Sequence, residues 1–284
     1  MRAFTLVELL VVISIISVLL AISVPALNGA RRQAHAVLSM RNQKEITGSI
    51  NLYAMDNDDL YPPSVATVGY DDRWNWYDPT RMIGNEKRTP QLHRSMSAYL
   101  HNYVADAGTM FCPDAPRRFA HLQEAWDAGD EWDNPDTPET SDPLSGTYCF
   151  FWSYIGYLGE GPRLFRGPIG TATVRGQSSL LVTDYFGYGH WRAPGAFSSC
   201  EKLAGSDVDP ETEKLSAWWK AEGDPNVAMP DVTLRAGYSD GHVETYTPSE
   251  AVPMRISQGP SGVPPFPEGP ATSGKFYIPR NAMH

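Results

Sequence analysis

The chain has 284 residues, a formal charge of −10, 20% charged and 42% hydrophobic residues. That length allows one large domain, or a domain with an extended element. The acidic balance argues against a generic nucleic-acid-binding surface, which needs a basic patch to neutralise phosphates, and leaves a local one open. The 24 Gly and 24 Pro point to a loop-rich body, and 3 Cys are too few for a disulfide scaffold.

After Met1-Arg2-Ala3 the chain runs without a break in apolar character from Phe4 to Val24, interrupted only by short polar residues and by Glu8. This is about the length that crosses a bilayer core of roughly 30 Å as a helix. A secretory signal would carry a shorter apolar stretch, about 7–15 residues. A plain anchor leaves Glu8 unexplained, because an ionised carboxylate inside such a span costs several kcal/mol without a partner. A cut between Ala3 and Phe4 would create a free α-amino group four residues before Glu8, and the Glu8 of one subunit would then pair with the terminus of the next. The competing reading is a carboxylate tolerated near the membrane edge, protonated or snorkelling.

The segment Ala3-Phe4-Thr5-Leu6-Val7-Glu8, followed by the apolar run, resembles the processing and methylation motif of type IV pilins and type II secretion pseudopilins. The resemblance implies a prepilin peptidase that removes residues 1–3 and N-methylates Phe4, with Glu8 supporting subunit registration. The family usually has Gly before the cut, where this chain has Ala3. It also implies a pilin-like α+β fold: a long N-terminal α-helix, its apolar half protruding, packed on a C-terminal antiparallel β-sheet with long loops. The expected divisions are a leader (1–3), a transmembrane and assembly helix (4–59) and a β-rich head with a Pro/Gly-rich tail (60–284).

Pro25 ends the apolar span and is expected to kink or loosen the helix; by resemblance it marks a segment that can melt during assembly. The helix then resumes, with Leu27, Ala30, Ala34, Val37, Leu38, Ile46, Ile50 and Tyr53 on a loose helical stripe. Arg31 and Arg32 follow the span at headgroup height, where the positive-inside rule would place them in the cytoplasm, against the orientation that the resemblance implies. The helix is expected to end near Asp56-Asn57-Asp58-Asp59, where turn formers cluster.

From Leu60 short apolar runs alternate with turn residues, as in an antiparallel sheet with long loops. Strands are expected at Thr147–Ile155, Ser179–Asp184 and Thr233–Tyr238. The last forms a hairpin with Val243–Tyr246 around Asp240-Gly241. Residues 127–146 read as an acidic loop, and the tail from Pro248 is expected to drape over the surface. Short matches in this body (Tyr53–Asp58 with Tyr61-Pro62-Pro63, Phe111-Cys112-Pro113, Ser153-Tyr154, Tyr238–Val243) also resemble a large pilin-like subgroup of planctomycete-type bacteria. That subgroup often carries a histidine ten residues before its Asp-Gly pair, where this chain has Pro230.

The cysteines allow three pairings; Cys112–Cys149 is the expected one if the compartment is oxidising, against three buried reduced thiols. Asp240 with His242, and Asp184 with His190, read as turn and surface residues rather than catalytic pairs. No nucleophile triad and no phosphate loop stands out. No cofactor is expected except calcium at the oxygen-rich run holding Asp56 and Asp58, which lacks the Gly and terminal Glu of an EF-hand. Trp74, Trp76 and Tyr77, Trp126 with Trp132, and Trp218 with Trp219 are candidate stacking platforms that core packing explains equally well.

The functional expectation is a structural, non-enzymatic filament subunit. Its partners would be copies of itself, a prepilin peptidase and the pilus or type II secretion assembly machinery. It would sit in the inner membrane before assembly and in a periplasmic or extracellular filament afterwards, with no specific nucleic acid partner. The alternative is a membrane-tethered extracytoplasmic binding protein that never polymerises.

Overall fold

The computed structural model describes residues 5–66, 79–82, 95–115, 122–127, 146–158, 164–172, 174–188, 195–206, 219–221, 229–255 and 275–283. The chain divides into two compact units, Met1–Leu38 and Ser39–His284. One helix, α1 (Leu6–Met55), contributes to both and runs on through Pro25. It ends where expected: Asp58 and Asp59 take the left-handed conformation, φ 54° and 60°, and the Asp59 N–H donates to the Ala54 carbonyl at 2.9 Å. In the first unit every large apolar side chain from Leu6 to Leu27 is exposed, up to 79% at Leu6.

In the second unit, two antiparallel sheets are seen among the described residues. Four strands, β1 (Tyr148–Phe150), β4 (Leu180–Asp184), β8 (Leu234–Tyr238) and β9 (Val243–Tyr246), lie in the order β1-β4-β8-β9. The second sheet has the order β3-β2-β10-β11-β5-β6-β7. Its strands are β2 (Ile155–Leu158), β3 (Leu164–Arg166), β5 (Phe186–Tyr188), β6 (Ala196–Ser198), β7 (Trp219–Ala221), β10 (Ala251–Arg255) and β11 (Lys275–Pro279). Short helices α2 (Met96–Leu100) and α3 (Leu122–Asp127) accompany the loops. This is the pilin-like α+β arrangement: a long N-terminal apolar helix whose later part packs on antiparallel sheets.

Alternation along the strands explains the packing. Tyr148 and Phe150 of β1 and Val182 of β4 share a core with Ile46, Ile50 and Ala54 of α1. The intervening Cys149, together with Leu234, Ala236 and Tyr238 of β8, joins a second core with Phe276 and Ile278 of β11. The four-stranded sheet is therefore covered on both faces, and β1, β4 and β8 are buried at every position. On the helix side, Gly237 of β8 lets α1 come close: a Cβ there would meet Thr47 Cγ2 at 2.8 Å.

Three expectations are corrected. Thr147–Ile155 is not one strand but two, β1 and β2, in different sheets. The chain turns between them at Ser153, φ 51°, where the Ser153 N–H donates to the Pro168 carbonyl at 2.8 Å. The turn packs so tightly on Gly167 that a Cβ there would overlap the Phe151 carbonyl.

The described parts of the tail, 248–255 and 275–283, do not drape over the surface. β10 and β11 pair along Ala251–Arg255 and Lys275–Pro279 in the interior of the seven-stranded sheet. Pro253 is tolerated because β2 pairs only with Met254 and Arg255. The expected acidic loop lies outside the described residues at 128–145.

The disulfide joins Cys112 to Cys200, with Cα atoms 5.6 Å apart, and Cys149 is a buried thiol outside the bond. The expected Cys112–Cys149 pair fails on the pleat of β1: Cys112 and Cys200 lie in the helix-side core, Cys149 in the core across the sheet. Closing a loop of 88 residues stabilises by about 2–4 kcal/mol. Cys200→Ser is therefore expected to lower the unfolding free energy by that amount under oxidising conditions and by little under reductant. Denaturant titration measures it, and peptide mapping without reductant should recover the 112–200 link.

Candidate functional site: the N-terminal helix and its anchorage

The first turn of α1 is built as a capping box. Thr5 precedes the helix, and its carbonyl accepts the first intrahelical bond, from the Leu9 N–H at 3.3 Å. The Glu8 N–H donates to Thr5 Oγ1 at 3.3 Å, and Glu8 Oε2 accepts from the Thr5 N–H at 2.8 Å and the Thr5 hydroxyl at 2.7 Å. Glu8 thus has a partner within its own chain. The signal is written in the sequence as Thr-x-x-Glu before an apolar run. Ala3 and Phe4 lie outside the described residues.

Beyond this cap, two serines of the span bond carbonyls of their own helix. The Ser14 hydroxyl donates to the Val11 carbonyl at 2.8 Å and the Ser17 hydroxyl to the Ile13 carbonyl at 2.7 Å. α1 is long and apolar enough to cross a membrane.

The part of α1 in the second unit is fastened by buried polar contacts. Ser39, Gln43 and Thr47, spaced four apart on one face, are buried beside Ile46 and Ile50. Gln43 Nε2 donates to Asp184 Oδ1 at 2.8 Å, and Ser39 Oγ bonds Tyr148 Oη at 2.9 Å. Asp184, fully buried at the end of β4, pairs with Arg235 Nη1 of β8 at 3.0 Å, and Arg235 Nη2 reaches Glu201 at 3.3 Å. Cys200 Sγ lies 3.2 Å from the same Asp184 oxygen. Burial pushes the Asp184 carboxyl up to about 6, against the pull of the Arg235 guanidinium.

Asp184, Gln43 and Arg235 carry no local signal in the sequence, because their partners are 51 to 141 positions away. Of the expected helical stripe, Ile46 and Ile50 are buried and Tyr53 packs against the same core, while Leu27, Val37 and Leu38 are exposed.

The other candidates fall as follows. Asp56 accepts from the Tyr103 hydroxyl at 3.0 Å, and Asp59 accepts from the Thr171 hydroxyl at 3.3 Å. The run containing Asp56 and Asp58 is thus the end of a helix. Among the described residues no group of three or more His, Cys, Asp or Glu could hold a metal ion. Gly241, φ 85°, makes the hairpin turn between β8 and β9 as expected.

His242 Nδ1 lies 2.5 Å from Asp240 Oδ1, and its ring stacks on Tyr238. The His242 backbone N–H holds the Asp240 carboxyl below its ordinary range. Trp126 is a core residue whose indole N–H donates to the Val104 carbonyl at 2.8 Å, so it offers no platform. Trp219 lies in β7 beneath the Lys202 ammonium, 5.3 Å from the ring centre. Trp74, Trp76, Tyr77, Trp132, Trp218 and His190 lie outside the described residues.

Residues 1–24 match the family model of the prokaryotic N-terminal methylation motif. This is the prepilin motif of type IV pilins and pseudopilins, and it implies processing by a prepilin peptidase. No curated protein and no solved structure matches the chain. The chain is thus pilin-like by its N-terminal motif, its long apolar helix and its antiparallel α+β body. Motif and helix together fit membrane anchoring before assembly.

Proposed function

We propose that this protein is a structural subunit of an extracytoplasmic filament, of type IV pilus or type II secretion pseudopilus kind, which polymerises through its N-terminal apolar helix. The observation that carries the reading is the methylation motif at residues 1–24 at the head of an exposed apolar helix. Such a surface is stable in lipid or against other copies of itself, and not in water. In this reading the leader 1–3 is removed, Phe4 becomes the methylated terminus, and the pilus or secretion machinery draws subunits from the inner membrane into the filament. Segment 4–59 then serves anchoring and assembly, and the remainder forms the outer surface.

One observation favours the second reading, a tethered protein that never polymerises: Glu8 already has a partner in Thr5 of its own chain. Two measurements on the native host material separate the readings. Intact mass and N-terminal sequencing are expected to give a chain starting at N-methylated Phe4, and electron microscopy is expected to show filaments labelled by an antibody to the body. Recovery of uncut Met1 beside an active prepilin peptidase refutes the processing. A processed chain confined to membranes supports the tether.

A further inference from the structure

We propose that Cys112 and Cys200 form a thiol–disulfide clasp over α1, opened and closed by exchange with an external dithiol or disulfide, with Asp184 as its internal proton partner. The clasp lies within the second unit and needs no filament.

Two groups of contacts grip α1, and the disulfide joins them. On one side, the segment from Tyr103 to Cys112 holds three α1 side chains. The Phe111 carbonyl accepts from Asn42 Nδ2 at 3.1 Å, the Thr109 hydroxyl donates to Glu45 Oε1 at 3.3 Å, and the Tyr103 carbonyl accepts from the Ser49 hydroxyl at 2.9 Å. On the other side, Asp184 Oδ1 accepts from Gln43 Nε2 at 2.8 Å and lies 3.2 Å from Cys200 Sγ. Asn42 and Gln43 are consecutive, so the two grips meet on one turn of the helix. The cysteines are 88 positions apart in sequence, and their bond fastens one grip to the other directly.

One carboxylate oxygen thus meets both the sulfur and the helix. A disulfide sulfur has no hydrogen, so in the closed clasp it makes no claim on Asp184 Oδ1 as a donor. A Cys200 thiol has an S–H whose acceptor at this place is the same oxygen, where it competes with Gln43. Opening therefore adds a hydrogen bond to the ionised carboxylate and loosens its hold on α1.

Closing runs in two steps. The Cys112 thiol, as thiolate, attacks an external disulfide R–S–S–R, giving Cys112–S–S–R and one R–SH. Cys200 then passes its proton to Asp184, and its sulfur attacks the Cys112 sulfur. The bond to the R sulfur breaks, and the departing R–S⁻ takes up that proton as the second R–SH. Two cysteine sulfurs are oxidised and two R sulfurs are reduced. A newly made chain in a reducing compartment keeps the clasp open, and an oxidising one closes it.

The charged and titratable groups around Asp184 are Arg235 of β8 at 3.0 Å, Glu201 through Arg235, Tyr148 of β1 and Cys200, while Tyr246 of β9 senses its charge. Burial pushes both phenols up, so they stay neutral through the range tested. Burial also pushes the Asp184 carboxyl up to about 6 in the closed form. The thiol hydrogen bond lowers it in the open form, so opening becomes easier as pH rises towards about 6.

The test brings the full chain in detergent to equilibrium, from both directions, with mixtures of reduced and oxidised dithiothreitol between about pH 4.5 and about pH 8. Thiols are trapped by alkylation and counted by intact mass. The opening constant is expected to rise by up to about tenfold per pH unit until about pH 6, and to be level above. In Asp184→Asn it should not change with pH. A flat wild-type constant overturns the role of Asp184 whether or not that variant folds, and so does the same rise in folded Asp184→Asn.

Hydrogen exchange reads the hold on α1. Amides from Asn42 to Ile50 are expected to exchange about tenfold faster in the opened chain than in the closed one, with Cys112→Ser matching the opened chain. Equal protection in the two states overturns the clasp, as does closed-state protection in Cys112→Ser. These readouts do not depend on filaments, so the clasp and the filament reading stand or fall separately.

Discussion

Asp184→Ala is expected to destabilise the body by about 3–5 kcal/mol, the cost of leaving a buried cation without its partner. Arg235 is 4% exposed, and without Asp184 its remaining anionic contact among the described residues is Glu201 at 3.3 Å. Gln43 loses its 2.8 Å acceptor in the same stroke, so α1 and the sheet loosen together. Asp184→Asn keeps the shape and one acceptor oxygen and should cost less.

The two variants also differ from the wild type in pH dependence. Burial raises the Asp184 carboxyl from 3.8 to about 6 in the folded state. Between those values the folded chain holds a proton that the unfolded chain has released, so stability falls as pH rises from about 4 to about 6 and is level above. Denaturant titrations of the detergent-solubilised chain across that range should show the slope in the wild type and none from this residue in Asp184→Asn. A wild-type stability that rises with pH through the window would show that Arg235 wins over burial.

The parts of the fold that were legible in the sequence are those written locally. The end of α1 is announced by four polar turn formers in a row, and the β8–β9 hairpin by Asp240-Gly241 between two alternating runs. The methylation motif lies within the first 24 residues, with its processing segment in the six consecutive residues Ala3–Glu8. The parts that were not legible depend on partners far along the chain. Thr147–Ile155 has the composition of a long strand, and the turn at Ser153 that breaks it is held by the Pro168 carbonyl, further along the chain.

The four-stranded sheet is covered on both faces, which erases the polar-apolar alternation that would have shown Cys149 facing away from Cys112. The Pro and Gly of the tail masked two strands whose Phe276 and Ile278 are fully buried. The polar spacing Ser39, Gln43, Thr47 reads as a solvated face until Asp184 and Arg235 arrive from the sheet. In the N-terminal site the reverse holds: Thr5 and Glu8 are three apart, and the cap they form needed no tertiary information.

That cap sets the design of the experiment on Glu8, because the residue has two candidate roles in the proposed filament. Glu8→Gln removes the charge but keeps an oxygen able to accept from the Thr5 N–H. Glu8→Ala removes both charge and cap, and Thr5→Ala removes the hydroxyl half of the cap and keeps the charge. If Glu8 neutralises the amine of a processed neighbour, Gln and Ala should both abolish filaments, since that amine is then buried without a counter-charge at a cost of several kcal/mol. Thr5→Ala should assemble nearly normally. If Glu8 serves only the cap, Gln should assemble like wild type, while both alanine variants lose about 1 kcal/mol of helix stability and little else. Membrane insertion separates assembly from targeting: losing the charge lowers the insertion cost by about 2–3 kcal/mol, so the membrane pool should be unchanged or larger in Gln and Ala. The expected result, from filament yield by electron microscopy beside subunit level in the membrane, is a full membrane pool and no filaments for Glu8→Gln and Glu8→Ala, with filaments retained by Thr5→Ala. Filaments at normal yield from Glu8→Gln would sink the charge-pairing mechanism and leave Glu8 as a cap.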